Sequence, residues 1–204
     1  MRGCLLILAI FAVSFLPAPA DAAPVPSTWV SLGRNAPDGR TPWSVQLQRL
    51  EGDLVRIELT LGGFHRIPMD GSRFEQIQVP GAGTTRIPGL PALPVLQQRL
   101  LGSAGDTPQI LGVEVDTVLV QDVVPAPHTP RPKRCGGEWP DRITCDTDWY
   151  ASGEAFPEAW ATVRRAGLLR SIPVVELSFS PFRYHPVTHE LEVARRVTVT
   201  LSLS

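Results

Sequence analysis

Apolar and polar residues alternate along most of this chain. Val55, Ile57, Leu59 and Leu61 are separated by Arg56, Glu58 and Thr60. Val45 and Leu47 alternate with Gln46 and Gln48, and Val113 and Val115 with Glu114 and Asp116. Val175, Leu177 and Phe179 alternate with Glu176, Ser178 and Ser180, and Leu191 and Val193 flank Glu192. At the end of the chain Val197, Val199, Leu201 and Leu203 alternate with Thr198, Thr200, Ser202 and Ser204. A period of two sends successive side chains to opposite faces, so each run predicts a strand with one buried and one wet face. Turn-forming residues part the runs at Glu51-Gly52-Asp53, Gly62-Gly63, Asp70-Gly71-Ser72 and Gly81-Ala82-Gly83. Many short strands with turns between them predict an all-β fold, an antiparallel β-sandwich with at most one short helix. Residues 47–61 read as a hairpin turning at Gly52-Asp53, and Tyr184 to Leu191 as another. Only Glu158 to Leu169 tolerates a helix, with Ala159, Val163 and Ala166 at helical spacing and Gly167 to end it.

Composition narrows this further. The 204 residues include 21 prolines, about twice the usual share, which argues against a helical bundle. A hydrophobic content of 43% argues against bulk disorder. Lys and Arg number 19 against 20 Asp and Glu, so the chain lacks the basic excess of a nucleic-acid binder. Lys133 is the sole lysine.

The first residues predict export. Met1-Arg2-Gly3 is a short positive region, Leu5 to Leu16 is apolar, and Ala18-Pro19-Ala20 and Ala20-Asp21-Ala22 both fit a cleavage site. Residues 1–22 therefore read as a signal peptide and 23–204 as one mature domain, secreted or periplasmic. The apolar run is too short to span a bilayer, and no membrane segment is expected after the leader is removed. Cys4 leaves with the leader. Cys135 and Cys145 remain, and in an oxidising compartment they are a candidate disulfide. Free thiols, or a cysteine nucleophile served by His128, are the alternatives.

One stretch breaks the alternation. Pro125 to Trp149 has no periodic apolar pattern and carries Arg131, Lys133, Arg134 and Arg142. A loop of this length is either a solvated excursion or functional. Elsewhere the chemistry of catalysis is missing. His185 and His189 are four apart, but Pro186 forbids the helix that would aim both at one metal. Glu154 and Glu158 have no accompanying signs of an acid–base site. The glycine pairs lack the lysine and helix of a phosphate loop. No metal, cofactor or catalytic residue is expected.

A family resemblance enters through Gly89-Leu90-Pro91-Ala92-Leu93-Pro94, preceded by Pro88 and followed by Val95. By itself this is a rigid turn. Its G-x-P-x-L-P pattern, after the strand-like Phe74 to Gly81, resembles the N-terminal propeptide of gingipain-type cysteine peptidases (family C25). Further along, Val174 to Leu177, Pro181, Phe182, Tyr184, Pro186, Thr188, Leu191 to Val193 and Arg195-Arg196-Val197 keep that family's order. The resemblance covers about residues 40–204, with His189 standing where the family often has glycine. It implies a curved β-sandwich that binds, chaperones and inhibits a gingipain-like cysteine peptidase without a catalytic domain of its own, as an inhibitor or as the leading part of a split or truncated peptidase. It also implies that a basic side chain from the 131–142 loop, Arg131, Lys133, Arg134 or Arg142, occupies the partner's specificity pocket. The competing reading is a secreted adhesion or ligand-binding sandwich, with Trp29, Trp43, Trp139 and Trp149 exposed on a binding face.

Overall fold

The computed structural model describes residues 27–33, 42–69, 71–102, 107–130 and 145–203. The leader, Cys135, Trp139, Arg131, Lys133, Arg134 and Arg142 lie outside the described residues. The strands in chain order are β1 (Thr28–Ser31), β2 (Trp43–Arg49), β3 (Leu54–Leu61), β4 (Gly63–Pro68), β5 (Glu75–Gln78), β6 (Gly83–Thr84), β7 (Pro94–Leu101) and β8 (Gln109–Val120). A single helical turn, α1 (Thr147–Tyr150), precedes β9 (Ala161–Leu169), β10 (Ile172–Phe179), β11 (Phe182–His185) and β12 (Glu190–Ser202). The fold is an all-β antiparallel sandwich, as the alternation predicts.

The long strand β12 organises one sheet. β8 runs along one of its edges, while β11 and then β3 share the other, with β2 outside β3. The second sheet has the order β6-β7-β10-β9, and a small third sheet the order β1-β4-β5. Both predicted hairpins form, β2 with β3 around Gly52 and β11 with β12 around Pro186. Alternation shows directly in β3, where Val55, Ile57, Leu59 and Leu61 are buried and Arg56 is exposed. β8 conforms less well: Val115 packs on a core while Val113, on this edge strand, stays exposed.

Two cores result. The first lies between the large sheets and joins Ile57, Leu59, Leu96, Leu177, Phe179, Val197 and Val199. Complete burial of a side chain such as Ile57 contributes roughly 1.5–3 kcal/mol. The second gathers Phe64, Ile77, Leu93, Phe182, Tyr184, Leu191 and Val193. A bulge lets β12 serve both. Ala194 pairs with Thr117 and Arg196 with Asp116, leaving Arg195 as an extra residue. The extra residue shifts the phase, so Leu191 and Val193 face the second core while Ala194, Val197 and Val199 face the first. In the sequence all the valines look like one unbroken alternation.

The predicted helix over Glu158–Leu169 is not formed. Ala161 to Leu169 is strand β9, paired with β10 from Phe179↔Ala161 to Ile172↔Leu169. Ala161 and Val163 enter the first core with strand spacing, and ladder bonds to β10 override the weak helical spacing. Gly167, expected as a helix stop, has φ +141 beside a second bulge. The β9–β10 turn places Arg170 and Ser171 at φ 48 and 70, values for which their types give little sequence signal.

Candidate functional site

The Gly89–Pro94 motif is a clamp. Leu90 N donates to Ile87 O at 3.2 Å, closing a turn with Pro88 and Gly89 at its centre. Gly89 has φ +82, which glycine adopts without the penalty a Cβ imposes. From that turn Gly89 N donates to His128 O at 3.2 Å, while Gly89 O accepts from Asp146 N at 3.1 Å. His128 N donates to Leu90 O at 2.7 Å, and Ala92 N to Ala126 O at 2.8 Å. Both feet of the aperiodic 125–149 segment are thus bonded to one short turn. A Cβ on Gly89 would stand 3.1 Å from Asp146 N, so the close approach also requires glycine.

The turn is itself braced. Thr85 Oγ1 donates to Pro91 O at 2.6 Å and accepts from Leu93 N at 2.9 Å. Leu93 is fully buried in the second core, and Pro94 opens β7 opposite Thr84. On the entry side Arg66 makes a two-point contact with Glu75, at 2.6 and 2.8 Å, and donates to Asp122 O at 2.9 Å. The hydrogen bond to Glu75 raises the Arg66 pKa further above its usual range. Glu75 N donates to Val124 O and Glu75 O accepts from Ala126 N, at 2.9 and 2.8 Å. On the exit side Asp146 caps α1 by accepting from Trp149 N at 3.0 Å, and Tyr150 Oη donates to Pro125 O at 3.0 Å. The two feet are therefore also tied to each other.

Beneath them is an aromatic cluster. Trp149 meets Tyr150 edge to face at 5.1 Å and Phe156 at 5.9 Å, with Tyr184 behind them. Tyr184 is fully buried, and its hydroxyl is hydrogen-bonded with His189 Nδ1 at 3.1 Å. Burial pushes the Tyr184 pKa from 10.0 up to about 12 and raises that of Tyr150 as well. Both phenols keep their protons at neutral pH and act as hydrogen-bonding packing groups. His189 has φ 54, a left-handed value.

Of the sequence-predicted site residues, Gly89, Pro91, Leu93 and Pro94 form the clamp. Arg131, Lys133, Arg134 and Arg142 belong to the stretch that it anchors but lie outside the described residues. Cys145 is half-buried beside Asp146 and, among the described residues, is a free thiol; its candidate partner Cys135 lies outside them. His185 turns to Glu192 at 3.5 Å and His189 to Tyr184, so the pair diverges. Among the described residues no group of three or more His, Cys, Asp or Glu is placed to hold a metal ion. Three of the four tryptophans expected on an exposed binding face are placed otherwise, and Trp139 lies outside the described residues. Trp29 packs on His65 and over Gly63, where a Cβ would overlap its indole. Trp43 joins both cores and donates to Pro80 O at 3.0 Å, and Trp149 lies in the aromatic cluster. None of these three is an exposed platform. Sequence reasoning missed Thr85, which braces the turn from a few residues upstream, and Glu75 and Tyr150, which bond Val124, Ala126 and Pro125 far away in the chain. Asp146 carried a readable signal, an N-cap acid before a short helical turn.

The fold and clamp define a β-sandwich module in which one turn holds the described residues on both sides of the 131–144 stretch. The chain belongs to the Propeptide_C25 family, whose model matches residues 35–204. Its structure is similar to one described as "Structural insight into zymogenic latency of gingipain K from Porphyromonas gingivalis", with TM-score 0.71, 17% identity, and coverage of 88% of this chain and 99% of that one. It is also similar to the "Complex of Porphyromonas gingivalis RgpB pro- and mature domains", with TM-score 0.64, 23% identity, and coverage of 78% and 85% respectively. No curated protein matches the chain.

Proposed function

We propose that this chain is an exported, prodomain-like module that binds the catalytic domain of a gingipain-like cysteine peptidase, assists its folding and blocks its cleft. The observation that carries the reading is the clamp: one turn bonds both His128 and Asp146, the feet of the basic stretch. A segment whose two flanks are held together loses less conformational entropy on binding, so more of its contact energy appears as affinity. A cationic side chain from that loop, pairing with an acid in a specificity pocket, makes a strong and oriented contact. Family membership supports the reading, as does similarity to a prodomain in complex with its mature domain. In this reading the chain contributes no catalytic group, and the leader at 1–22 directs it to the periplasm or beyond.

The test is addition of the purified mature chain to a gingipain-like cysteine peptidase, reading substrate cleavage and the yield of active enzyme on refolding. The expected result is slower cleavage and a higher refolding yield. No change in either measurement overturns the reading.

A further inference from the structure

The sheet containing β7, β10 and β9 carries a second surface at the end away from the clamp. β7 and β10 extend from Pro94 and Phe179, near the clamp, to Leu101 and Ile172. Eight residues at about 3.3 Å each put that far end roughly 25 Å from the near one. There Val174 and Glu176 alternate with the core residues Val175 and Leu177 and so face outward. The β9 bulge adds Ala166 between Arg165, opposite Val175, and Gly167, opposite Val174. That extra residue turns Leu169 from the core face to the outer one. A cavity of about 440 Å³ forms there, with Leu101, Leu169 and Val174 among its apolar lining and Gly167 beside them.

Its polar side is a fixed pair of cations. Glu176 is only 2% exposed, whereas the Arg99 and Arg164 side chains above it are 73% and 65% exposed. Arg99 uses Nε on one carboxylate oxygen, at 3.3 Å, and Arg164 uses Nη2 on the other. Each guanidinium has five N–H donors, so the carboxylate orients both while leaving donors toward solvent. β7, β9, β10 and the β9–β10 turn contain Arg99, Arg164, Arg165 and Arg170 against the single acid Glu176. Arg165, opposite the core residue Val175, lies on the other face, so the cavity itself carries Arg99 and Arg164 against Glu176, on a chain whose net charge is −1. Leu101, Leu168, Leu169 and Ile172 are all exposed around it.

We propose that this surface docks an acidic, apolar protein segment, with a carboxylate on the Arg99–Arg164 pair and its apolar neighbours on Leu101 and Leu169. Charge complementarity selects the partner's sign, and the oriented donors in a concave apolar site select a carboxylate at one position. The surface lies at the end of the sheet away from the clamp and uses none of its residues.

The test is an amide NMR titration of the 15N-labelled mature chain with a blocked peptide of alternating leucine and glutamate. A leucine–glutamine counterpart and equimolar phosphatidylcholine–phosphatidylglycerol vesicles are titrated in parallel. Shifts confined to Leu101, residues 164–169 and Val174 are expected, with the glutamine peptide at least about tenfold weaker. The variant Leu101→Ser/Leu169→Ser changes exposed side chains and is expected to bind about tenfold more weakly with a native spectrum. The triple variant Arg99→Gln/Arg164→Gln/Glu176→Gln leaves no buried charge unpaired and is expected to lose the preference for glutamate. Absence of peptide binding, shifts elsewhere, or equal binding of the two peptides overturns the proposal. Vesicle binding without peptide binding also overturns it and reassigns the surface to a membrane.

Discussion

Gly89 accepts a hydrogen bond from Asp146 and leaves a side chain too little space unless Asp146 gives way, its ideal Cβ position being 3.1 Å from the Asp146 nitrogen. Through its own amide the same residue holds His128. One glycine therefore ties together the described residues that flank the basic stretch, His128 before it and Asp146 after it.

Gly89→Ala is expected to destabilise the chain by about 2 kcal/mol, combining a left-handed backbone penalty with displacement of Asp146. Gly52→Ala is the control, because Gly52 has φ +66 but open space around its Cβ position. Its cost is expected to be about 1 kcal/mol. Urea denaturation compares the two variants. Equal losses would show that the Asp146 contact contributes nothing.

Replacing Arg131, Lys133, Arg134 and Arg142 with alanine is expected to weaken peptidase inhibition at least about tenfold, the effect of losing one charge-assisted contact. Inhibition constants at matched ionic strength check this. The clamp lies outside the replaced residues, so the denaturation midpoint should stay near that of the parent chain. Unchanged inhibition would remove the loop from the mechanism.

Alkaline pH should unfold the chain through its tyrosines, Tyr150 and Tyr184, which are its only two. Burial raises the Tyr184 pKa from 10.0 to about 12, so the folded state holds this proton more tightly than the unfolded state. The associated stability is complete below about pH 10 and is lost as pH rises through the folded-state value. Tyr184→Phe should shrink this alkaline loss while costing about 1 kcal/mol at neutral pH for the hydrogen bond with His189. Denaturation midpoints between neutrality and pH 12 provide the measurement, and identical pH profiles for parent and variant would refute the assignment.

Removing both arginines above Glu176 should be worse than removing the whole charged group. Arg99→Ala/Arg164→Ala strands a buried carboxylate and is expected to cost about 2–3 kcal/mol, below the fully buried case because both guanidiniums are exposed. Adding Glu176→Leu should recover most of that loss. Thermal denaturation of the two variants provides the comparison. If the triple variant were no more stable than the double, Glu176 burial would not be the cause.

The alternation over residues 54–61 marked strand β3 and its buried face because period-two patterning is local and this strand is central in its sheet. The same logic failed at β9, where Ala159, Val163 and Ala166 mimic a helix and pairing with β10 decides otherwise. It was silent on the β9–β10 turn, because Arg170 and Ser171 adopt positive φ without the usual turn residues. It also could not distinguish Val193 from Val197, which lie in different cores across the bulge at Arg195.

What the sequence by itself determined is strands β2, β3, β8, β10 and β12, two hairpins, and the rigid turn at Gly89-Leu90-Pro91. These follow from backbone geometry and residue type over a few neighbours. Tertiary structure alone decided that this turn clamps His128 and Asp146, that Trp29 packs on His65 and Trp43 against both cores, and that Glu176 lies beneath two arginines. Those relationships join positions far apart in the chain. Strand pairing and core burial select them over the many alternative contacts that the same local pattern permits.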